Sequence, residues 1–343
     1  MKKEQFIAID LFSGCGGLSD GLKQAGFKVV IALEKDKNAT KSYKLNHPDT
    51  RIIVKDIKRV SAVEFKRYLG GKTIDLLAGC PPCQGFSSIR RLNRKKSARD
   101  NRNGLIMEFL RFVKVLQPKT VMMENVPALE NYYLFKKFVS KLKTLNYHVD
   151  HKVVDVSEYG VPQRRRRLVL LASILGTVSI AEPTGKRITV RQAIGKIKSP
   201  KKTKDWLQRV MAAHSPEIKE RIRLIPKNGG SFRNLAREYQ LDCHKGKNIG
   251  FKDIYGRMKW NDVAPTITGG CMNPSKGRFL HPEKNRSITA REAAVIQSFR
   301  QSYKFYRMLN KTELAIQIGN ALPPKFSKAQ TAHLKRHLQE HLG

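Results

Sequence analysis

The sequence predicts an α/β fold with a doubly wound, mostly parallel sheet, followed by a second, smaller and irregular domain. In the first half of the chain, short apolar segments of strand length alternate with segments whose apolar residues have helical spacing. The 343 residues are 40% hydrophobic, which is enough to bury one large core and a smaller one. After residue 174, prolines, glycines and lysines interrupt the alternation.

The alternation defines the expected elements in order. The predicted strands are Ile7–Phe12, Val29–Leu33, Arg51–Val54, Ile74–Ala78, Thr120–Glu124, Val149–Val156 and Leu168–Ala172. The predicted helices are Leu18–Ala25, Lys37–Asn46, Ala62–Leu69, Leu105–Leu116 and Tyr133–Leu145, and helical spacing returns at Thr289–Phe299 and Pro324–Leu342. We therefore predict a first domain over 1–173, a second over 174–284, and a return to the first over 285–343.

The charge of the chain predicts a polyanionic partner. Lys and Arg total 67 against 28 Asp and Glu, a formal net charge of +39. Nucleic acid is favoured over an acidic membrane, a solvated cationic surface or a lysine-rich genome composition. The longest apolar stretches, such as Leu168–Ala172, have only the length of a strand, so no membrane span is expected. The N-terminus lacks a signal-peptide pattern, and we expect a bacterial cytoplasmic protein associated with the nucleoid.

The number and spacing of the cysteines favour a reducing compartment and disfavour a metal site. The five cysteines are Cys15, Cys80, Cys83, Cys243 and Cys271, an odd number and too few for a disulfide scaffold. Cys80 and Cys83 form a C-x-x-C pair, which leaves a zinc site or a redox dithiol as an alternative. The other candidate zinc ligands, including His244, lack paired spacing.

A glycine-rich turn predicts a nucleoside cofactor. The segment Phe6–Leu18 is a strand, a turn with three glycines and the start of a helix. Ser19 stands where a dinucleotide fingerprint has glycine, which disfavours nicotinamide and flavin. Glu34 and Asp56 follow the next two strands, where their carboxylates suit ribose hydroxyls and an adenine amino group. The alternative is a simple tight turn with two solvated strand ends.

A cysteine loop follows the fourth predicted strand. Gly79–Ser88 reads Gly-Cys-Pro-Pro-Cys-Gln-Gly-Phe-Ser-Ser, and its two prolines stiffen the approach to Cys83. A free thiol has a pKa of about 8.5, so a nucleophilic cysteine needs nearby positive charge, which the following arginines offer.

Together these motifs resemble the cytosine-5 DNA methyltransferase family. Pro82-Cys83-Gln84 and the Phe12–Gly17 turn are followed, in the family's order, by Glu124-Asn125-Val126, Gln163–Arg167, Arg286–Glu292 and Gly319–Pro324. The resemblance covers residues 6–172 and 255–328. It implies a Rossmann-like, S-adenosylmethionine-dependent methyltransferase fold, with residues 174–284 as the target-recognition domain of a stand-alone bacterial enzyme.

The resemblance also implies roles for individual residues. Cys83 would attack carbon 6 of cytosine, Glu124 would contact N3 and the exocyclic amine, and Arg165 would hold the O2 side. The S-adenosylmethionine pocket would contain Phe12, Gly14, Gly16, Glu34, Asp56, Pro81 and Asn320. Many relatives have an adenine-stacking aromatic after the acidic residue, and this chain has Lys35 there.

DNA contacts are expected from two segments. The target base must leave the duplex stack, and the basic stretch 87–103 has the composition of a lid that closes over phosphates. Its alternative is a basic loop without fixed structure. Gly229 and Gly230 lie in a segment resembling a recognition loop that contacts bases in the major groove. The other predicted DNA-binding residues are Gln84, Ser87, Arg90, Arg91, Arg94, Lys95 and Arg99.

The predicted function is methylation of carbon 5 of a flipped-out cytosine in a specific double-stranded DNA sequence, as the modification enzyme of a restriction-modification system. Expected partners are double-stranded DNA and a cognate restriction endonuclease, and a monomer is expected. One alternative is an enzyme on transfer RNA, although the Cys-Phe-Thr-x-x-Tyr signature of such relatives is absent. Another is a catalytically silent DNA-binding protein, which the retention of Cys83, Glu124 and Arg165 disfavours.

Overall fold

The computed structural model describes residues 5–82, 104–242, 245 and 253–343, and the chain divides into two compact units. The first unit comprises Met1–Val156, Arg166–Thr184 and Leu322–Gly343. The second comprises Ser157–Arg165 and Gly185–Ala321. The sequence pattern predicts domain boundaries after 173 and 284, whereas the chain changes unit after 156, 165, 184 and 321.

The first unit contains the sheet. Its strands are β1 (Ile7–Leu11), β2 (Lys28–Glu34), β3 (Arg51–Val54), β4 (Leu76–Gly79), β5 (Thr120–Asn125), β6 (His148–Asp155) and β7 (Arg166–Ser173). Their order across the sheet is β3-β2-β1-β4-β5-β7-β6. The first five strands pair in parallel, and β7 is antiparallel to both β5 and β6. The mostly parallel, doubly wound sheet is therefore confirmed, and its strand order reverses between β1 and β4, where such sheets bind ligands.

The helices of the first unit follow the predicted pattern closely. They are α1 (Gly17–Ala25), α2 (Lys37–Lys44), α3 (Ala62–Leu69), α4 (Leu105–Leu116) and α5 (Tyr133–Lys143). Asp36 caps α2, because its carboxylate accepts the N–H groups of Asn38 and Ala39. Ser61 caps α3 in the same way through the N–H of Val63.

One apolar core lies between the sheet and helices α3, α4 and α5. Phe65 and Phe112 meet edge to face at 5.0 Å, and Phe109 meets Phe138 at 6.0 Å. All four rings are fully buried. Burial of each ring stabilises the fold by roughly 1.5–3 kcal/mol, so the strands facing these helices are held firmly.

The last helix, α11 (Pro324–Leu342), belongs to the first unit. It packs on α1 at Gly21, where an added Cβ would lie 2.6 Å from the carbonyl oxygen of Pro324 and would also meet Ser327. Its buried His337 is hydrogen-bonded to Ser173 at 2.7 Å. Only glycine at position 21 permits this close approach of the two helices.

The second unit is irregular, with short helices joined by loops. These are α6 (Val190–Ile194), α7 (Trp206–Arg209), α8 (Pro216–Leu224), α9 (Ala290–Ile296) and α10 (Lys311–Asn320). A small core forms around Ile222, Phe232 and Leu280. Among the described residues, no helix is both long and apolar enough to cross a membrane.

Contacts of α9 explain why residues 285–321 belong to the second unit. Arg291 forms an ion pair with Asp205 at 2.6 Å, and Thr289 donates its hydroxyl to Gln208 at 2.6 Å. These side chains tie α9 to α7 within the unit. The helical spacing at 289–299 was predicted correctly, but such spacing does not specify which core a helix joins.

Candidate active site

A tight turn connects β1 to α1. Phe12, Gly14 and Gly16 have φ values of 62°, 54° and 98°. The N–H of Ser13 donates to the Leu33 carbonyl at 3.1 Å, which anchors the turn to β2. No atom of the described residues lies within 4 Å of where a Cβ on Gly14 would stand, so the backbone is open to a ligand there.

Glu34 is fixed against this turn. Its Oε2 accepts the N–H of Gly14 at 2.8 Å, and its Oε1 accepts the N–H groups of Lys35 and Asp36, each at 2.8 Å. Oε1 thus already accepts two hydrogen bonds, whereas Oε2 accepts one and retains acceptor capacity. The carboxylate is therefore preorganised to accept a further hydrogen bond, such as one from a ribose hydroxyl.

Asp56 lies at the end of β3, one strand further along the same edge. Its Oδ1 accepts the N–H of Lys58 at 3.0 Å, and its Oδ2 lies 3.9 Å from the Lys35 ammonium. Since β3, β2 and β1 are neighbours with parallel register, the sheet brings the ends carrying Asp56, Glu34 and the glycine turn together. Lys35, in place of an aromatic, pairs with Asp56.

A buried carboxyl group lies beneath the turn, at Asp10 on β1. Its Oδ2 accepts the hydroxyl of Ser19 at 2.6 Å, and Ser19 is hydrogen-bonded to Tyr43 at 2.8 Å. Its Oδ1 is buried without a hydrogen-bond partner among the described residues. Burial, and to a smaller degree the negative charge of Glu34, raises the pKa of Asp10 to about 7. No motif in the sequence predicts a role for Asp10.

The chain leaves β4 at the switch point of the sheet and enters the cysteine loop. Asn125, at the end of β5, donates its side-chain amide to the carbonyl of Pro81 at 2.8 Å. Its amide oxygen accepts the N–H of Val126 at 2.8 Å. The first bond holds Pro81 against the end of β5, and the second fixes the Asn125 side chain that makes it. Burial, followed by the charges of Glu124 and Asp10, raises the pKa of Cys80 well above its usual range, so this neighbour of Cys83 is a poor thiolate.

Glu124 precedes Asn125 and is nearly buried. Its Oε1 lies 2.7 Å from Nε of Arg167, whose side chain is only 15% exposed. The two residues lie on antiparallel partners, since Glu124 on β5 is opposite Val169 on β7 and Arg167 is two positions away on the same face. The structure therefore brings a second arginine of the Gln163–Arg167 motif, one not singled out from sequence, onto the predicted catalytic carboxylate.

Arg165 belongs to the second unit, and its Nη1 contacts the backbone there. Its Nη1 donates to the carbonyls of Ile267 at 2.8 Å and Gly319 at 3.0 Å. Neighbouring Gln163 donates to the Ile296 carbonyl and accepts the N–H of Ile267. Gln163 and Arg165 of the motif thus hold loops of the second unit, and Arg167 contacts Glu124.

Two further predicted groups lie in the second unit. Asn320, predicted for the cofactor pocket, is exposed at the C-terminal end of α10. Gly229 and Gly230, predicted for DNA, form a partly exposed loop after Pro226.

Several predicted site residues lie outside the described residues. They are Cys83, Gln84, Ser87, Arg90, Arg91, Arg94, Lys95 and Arg99. Within the described ranges, no group of three or more His, Cys, Asp or Glu side chains could hold a metal ion.

Comparison with known proteins gives one consistent result. The family model for C-5 cytosine-specific DNA methylase matches residues 6–336. The type II methylase M.HgiDII of Herpetosiphon aurantiacus is 37% identical, with 96% of this chain and 95% of the relative covered. The type II methyltransferase M1.BsuMI of Bacillus subtilis (strain 168) is 34% identical, with coverage of 97% and 81%. A crystal structure of a prophage-encoded Escherichia coli protein has a TM-score of 0.76 at 25% identity, with coverage of 97% and 99%.

Proposed function

Because the chain belongs to the C-5 cytosine-specific DNA methylase family, we propose that it methylates carbon 5 of a flipped-out cytosine in a specific double-stranded DNA sequence through a covalent adduct of Cys83. The observation that supports this most directly is the arrangement at the ends of β4 and β5. There, Asn125 holds the Pro81 carbonyl while the adjacent Glu124 pairs with Arg167.

Cys83 is the nucleophile in this proposal. Cytosine carbon 5 is a weak nucleophile, and addition of the Cys83 thiolate to carbon 6 makes carbon 5 electron-rich. Once carbon 5 is methylated, a base removes its proton and the carbon 6–sulfur bond breaks, which regenerates the thiolate. Water is the base we expect. Pro81 and Pro82 limit the conformations of the segment that leads to the thiol.

Glu124 stabilises the pyrimidine ring as charge develops. A carboxyl group at the end of β5 can contact N3 and the exocyclic amine, and Arg167 fixes its orientation through the 2.7 Å contact. The motif alone assigned the O2 side of the ring to Arg165. The pairing with Glu124 favours Arg167 for that contact, and Arg165 then supports the loops ending at Ile267 and Gly319.

The residues of the first unit fit S-adenosylmethionine, which when bound supplies an electrophilic methyl group. The open backbone at Gly14, beside Phe12 and Gly16, gives a ligand close access. We propose that Glu34 accepts a hydrogen bond from the ribose through Oε2 and that Asp56 contacts the adenine amino group. Pro81, and Asn320 of the second unit, complete the proposed set.

We assign DNA recognition to the second unit and base flipping to the basic stretch 87–103. The net charge of +39 supports a duplex partner through phosphate contacts. The names of the two curated relatives support a role as the modification enzyme of a restriction-modification system, with a cognate endonuclease acting on the same site. We expect the enzyme to act as a monomer on DNA in the cytoplasm.

A trapping experiment tests the proposal without knowledge of the recognised sequence. A long duplex synthesised with 5-fluorodeoxycytidine contains many sequences, and its fluorine blocks removal of the carbon 5 substituent after methyl transfer. With S-adenosylmethionine, the wild-type protein should form a complex that survives denaturing electrophoresis. Cys83→Ser should form none, and Cys80→Ser, the matched control in the same loop, should still form it.

Absence of a complex with wild-type protein, or its persistence in Cys83→Ser, would overturn the proposal. If the protein methylates transfer RNA and not the DNA duplex, its substrate is RNA and the chemical steps are the same. Bisulfite sequencing of a plasmid treated with wild-type protein would then identify the methylated sequence.

A further inference from the structure

The second unit contains a cavity of about 440 Å³ that is lined by none of the residues proposed for methyl transfer. The loop that follows α6 lies on one side of it and the segment 281–286 on the other. Its apolar wall is formed by Ile194, Ile197, Met211 and the indole of Trp260. A cavity of this size that combines an apolar wall with a few polar groups is typical of a small-molecule site.

The position of Trp260 in the apolar wall is fixed by its neighbours. Its backbone N–H donates to the side-chain oxygen of Asn228 at 2.8 Å, and its carbonyl accepts the N–H of Arg191 at 2.9 Å. The Arg191 guanidinium lies over the indole at 5.1 Å, and the His281 ring meets the indole at 5.2 Å and nearly at a right angle. The wall is therefore formed before any ligand arrives.

His281 brings a buried hydrogen-bond donor to the cavity. Its Nδ1 accepts the backbone N–H groups of Glu283 and Lys284, at 3.1 and 3.0 Å. Burial lowers the pKa of His281 to about 4, so the ring is neutral near pH 7 and its single proton lies on Nε2. Among the described residues Nε2 has no hydrogen-bond partner, although the residue is only 6% exposed. A ligand that offers an acceptor here would satisfy this group.

The charged residues that line the cavity favour an anion. Arg286 and Glu292 form two contacts of 2.7 Å and neutralise each other. Lys201 and Lys284 are exposed, and their ammonium groups have no carboxylate partner within the described ranges. Only one unpaired carboxylate, that of Glu283, lines the cavity among these residues. The local potential is therefore positive and favours a ligand with a negatively charged group.

We propose that this cavity is a binding site for a nucleotide. The base lies against the apolar wall, where His281 donates to a ring acceptor, and Lys201 and Lys284 bind the phosphate. A nucleotide fits because it joins a flat ring that carries acceptor atoms to an anionic group. The nucleotide is either a free nucleoside monophosphate or part of a strand, and the two sources have the same chemistry.

Binding is measured on the full chain without duplex DNA, by equilibrium dialysis of each common nucleoside 5′-monophosphate. Saturating S-adenosylhomocysteine keeps the proposed cofactor pocket occupied during the measurement. At least one nucleotide should bind to a single site with a Kd below about 100 μM. The matching nucleoside, which lacks the phosphate, should bind at least about tenfold more weakly, and higher salt should weaken binding of the nucleotide more than that of the nucleoside.

Removal of the two lysines locates the phosphate. Lys201→Gln/Lys284→Gln should weaken nucleotide binding about tenfold and change nucleoside binding little, because only the cationic groups are lost. The matched control is Lys219→Gln/Lys227→Gln, which removes two exposed lysines of the same unit that do not line the cavity. This control should bind the nucleotide as the wild type does.

Changes in the apolar wall locate the base. Trp260→Leu should weaken binding of both nucleotide and nucleoside by about tenfold, because the base loses apolar contact area. If this variant has a strongly lowered melting temperature, Ile197→Glu replaces it. Ile197→Glu leaves Trp260 in place, puts a carboxylate into the wall, and should abolish nucleotide binding.

A dinucleotide that contains the preferred base distinguishes the two sources. If it binds as tightly as the mononucleotide and is weakened by the same substitutions, the site accepts a nucleotide within a strand. If only the mononucleotide binds, the ligand is a free nucleotide. Both results support the proposal.

Three results would overturn the inference. These are no nucleotide binding by the wild type, unchanged binding in Lys201→Gln/Lys284→Gln, and displacement of the nucleotide by an equal concentration of inorganic phosphate. The covalent complex with the fluorinated duplex plays no part in these measurements, so the inference and the proposed function fail independently of each other.

Discussion

Nε of Arg167 lies 2.7 Å from Oε1 of Glu124, and the two side chains form an ion pair across the antiparallel pairing of β5 and β7. Both side chains are mostly buried at the end of the sheet where the cysteine loop begins. The guanidinium therefore fixes the orientation of the Glu124 carboxylate at this end of the sheet. The contact exists because β7 is inserted antiparallel next to β5, in a register that puts Arg167 on the face of Glu124.

Substitution of Arg167 should therefore affect catalysis, whereas substitution of Arg165 should mainly affect stability. Arg167→Ala should lower the rate of methyl transfer about 100-fold or more, because Glu124 loses its partner and the ring loses a stabilising charge. Arg165→Ala should mainly lower the free energy of unfolding, by roughly 1–3 kcal/mol, because the carbonyls of Ile267 and Gly319 lose a buried donor. Single-turnover methyl transfer and thermal unfolding separate the two effects. A larger rate loss in Arg165→Ala than in Arg167→Ala would return the catalytic role to Arg165.

Asn125 should affect catalysis by holding Pro81. In Asn125→Ala the Pro81 carbonyl loses its donor and the Val126 N–H its acceptor, so we expect a stability loss of roughly 1–3 kcal/mol. Formation of the covalent complex should slow by about tenfold or more, since Pro81, two residues before the nucleophile, is held less firmly. Asn125→Asp keeps the acceptor for Val126 but loses the donor to Pro81. It should trap as slowly as the alanine variant, and trapping at the wild-type rate would show that the Pro81 contact is dispensable.

Asp10 should make stability depend on pH in a defined direction. Burial raises its pKa from an ordinary 3.8 to about 7, so the folded protein binds this proton more tightly than the unfolded chain. Its stabilising contribution is complete below about pH 4 and is lost as pH rises toward 7. Asp10→Asn removes this dependence, and the variant should gain on the order of 2–4 kcal/mol relative to wild type between pH 4 and pH 8. Denaturant unfolding at both pH values gives the difference, and an equal difference at the two would contradict the assignment.

Gly21 should be required for docking of the C-terminal helix. Gly21→Ala puts a methyl group against Pro324 and Ser327, so it should destabilise the protein by roughly 1–3 kcal/mol through overpacking. Gly104→Ala is the matched control, because no atom of the described residues lies within 4 Å of its added Cβ and its φ of −76° suits alanine. Thermal unfolding of both variants checks the prediction. Equal melting temperatures would mean that α11 can shift at little cost.

Most helices and strands could be predicted from the sequence, because their apolar residues recur with the period of a helix or form runs of strand length. Apolar runs such as Leu168–Ala172 have strand length and are buried on both faces, and amphipathic runs such as Leu105–Leu116 form the helices that cover them. The positions of Glu34 and Asp56 at strand ends followed from the same pattern. Their common edge followed from the parallel pairing that alternating strands and helices require.

The pairing of Glu124 with Arg167 could not be predicted in this way. The run Arg164–Arg167 offers consecutive arginines, and neither their number nor their charge says which of them faces β5. Strand alternation would have put Arg165 and Arg167 on one face, and that was the available signal. The choice between them needed the register of β7 on β5.

The sequence by itself determined the helices and strands, the edge of the sheet that carries the candidate site residues, and the motifs that contain Cys83 and Glu124. These features depend on the period of the hydrophobic residues and on the positions of glycines, which act over a few residues. Only the tertiary structure decided that β7 lies antiparallel beside β5, that residues 285–321 join the second unit, and that the loop after α6 and the segment 281–286 line one cavity. These relations depend on hydrogen bonds and packing between distant segments. Many pairings satisfy the same local pattern, and the one adopted is the one that buries the apolar faces while leaving few buried polar groups unpaired.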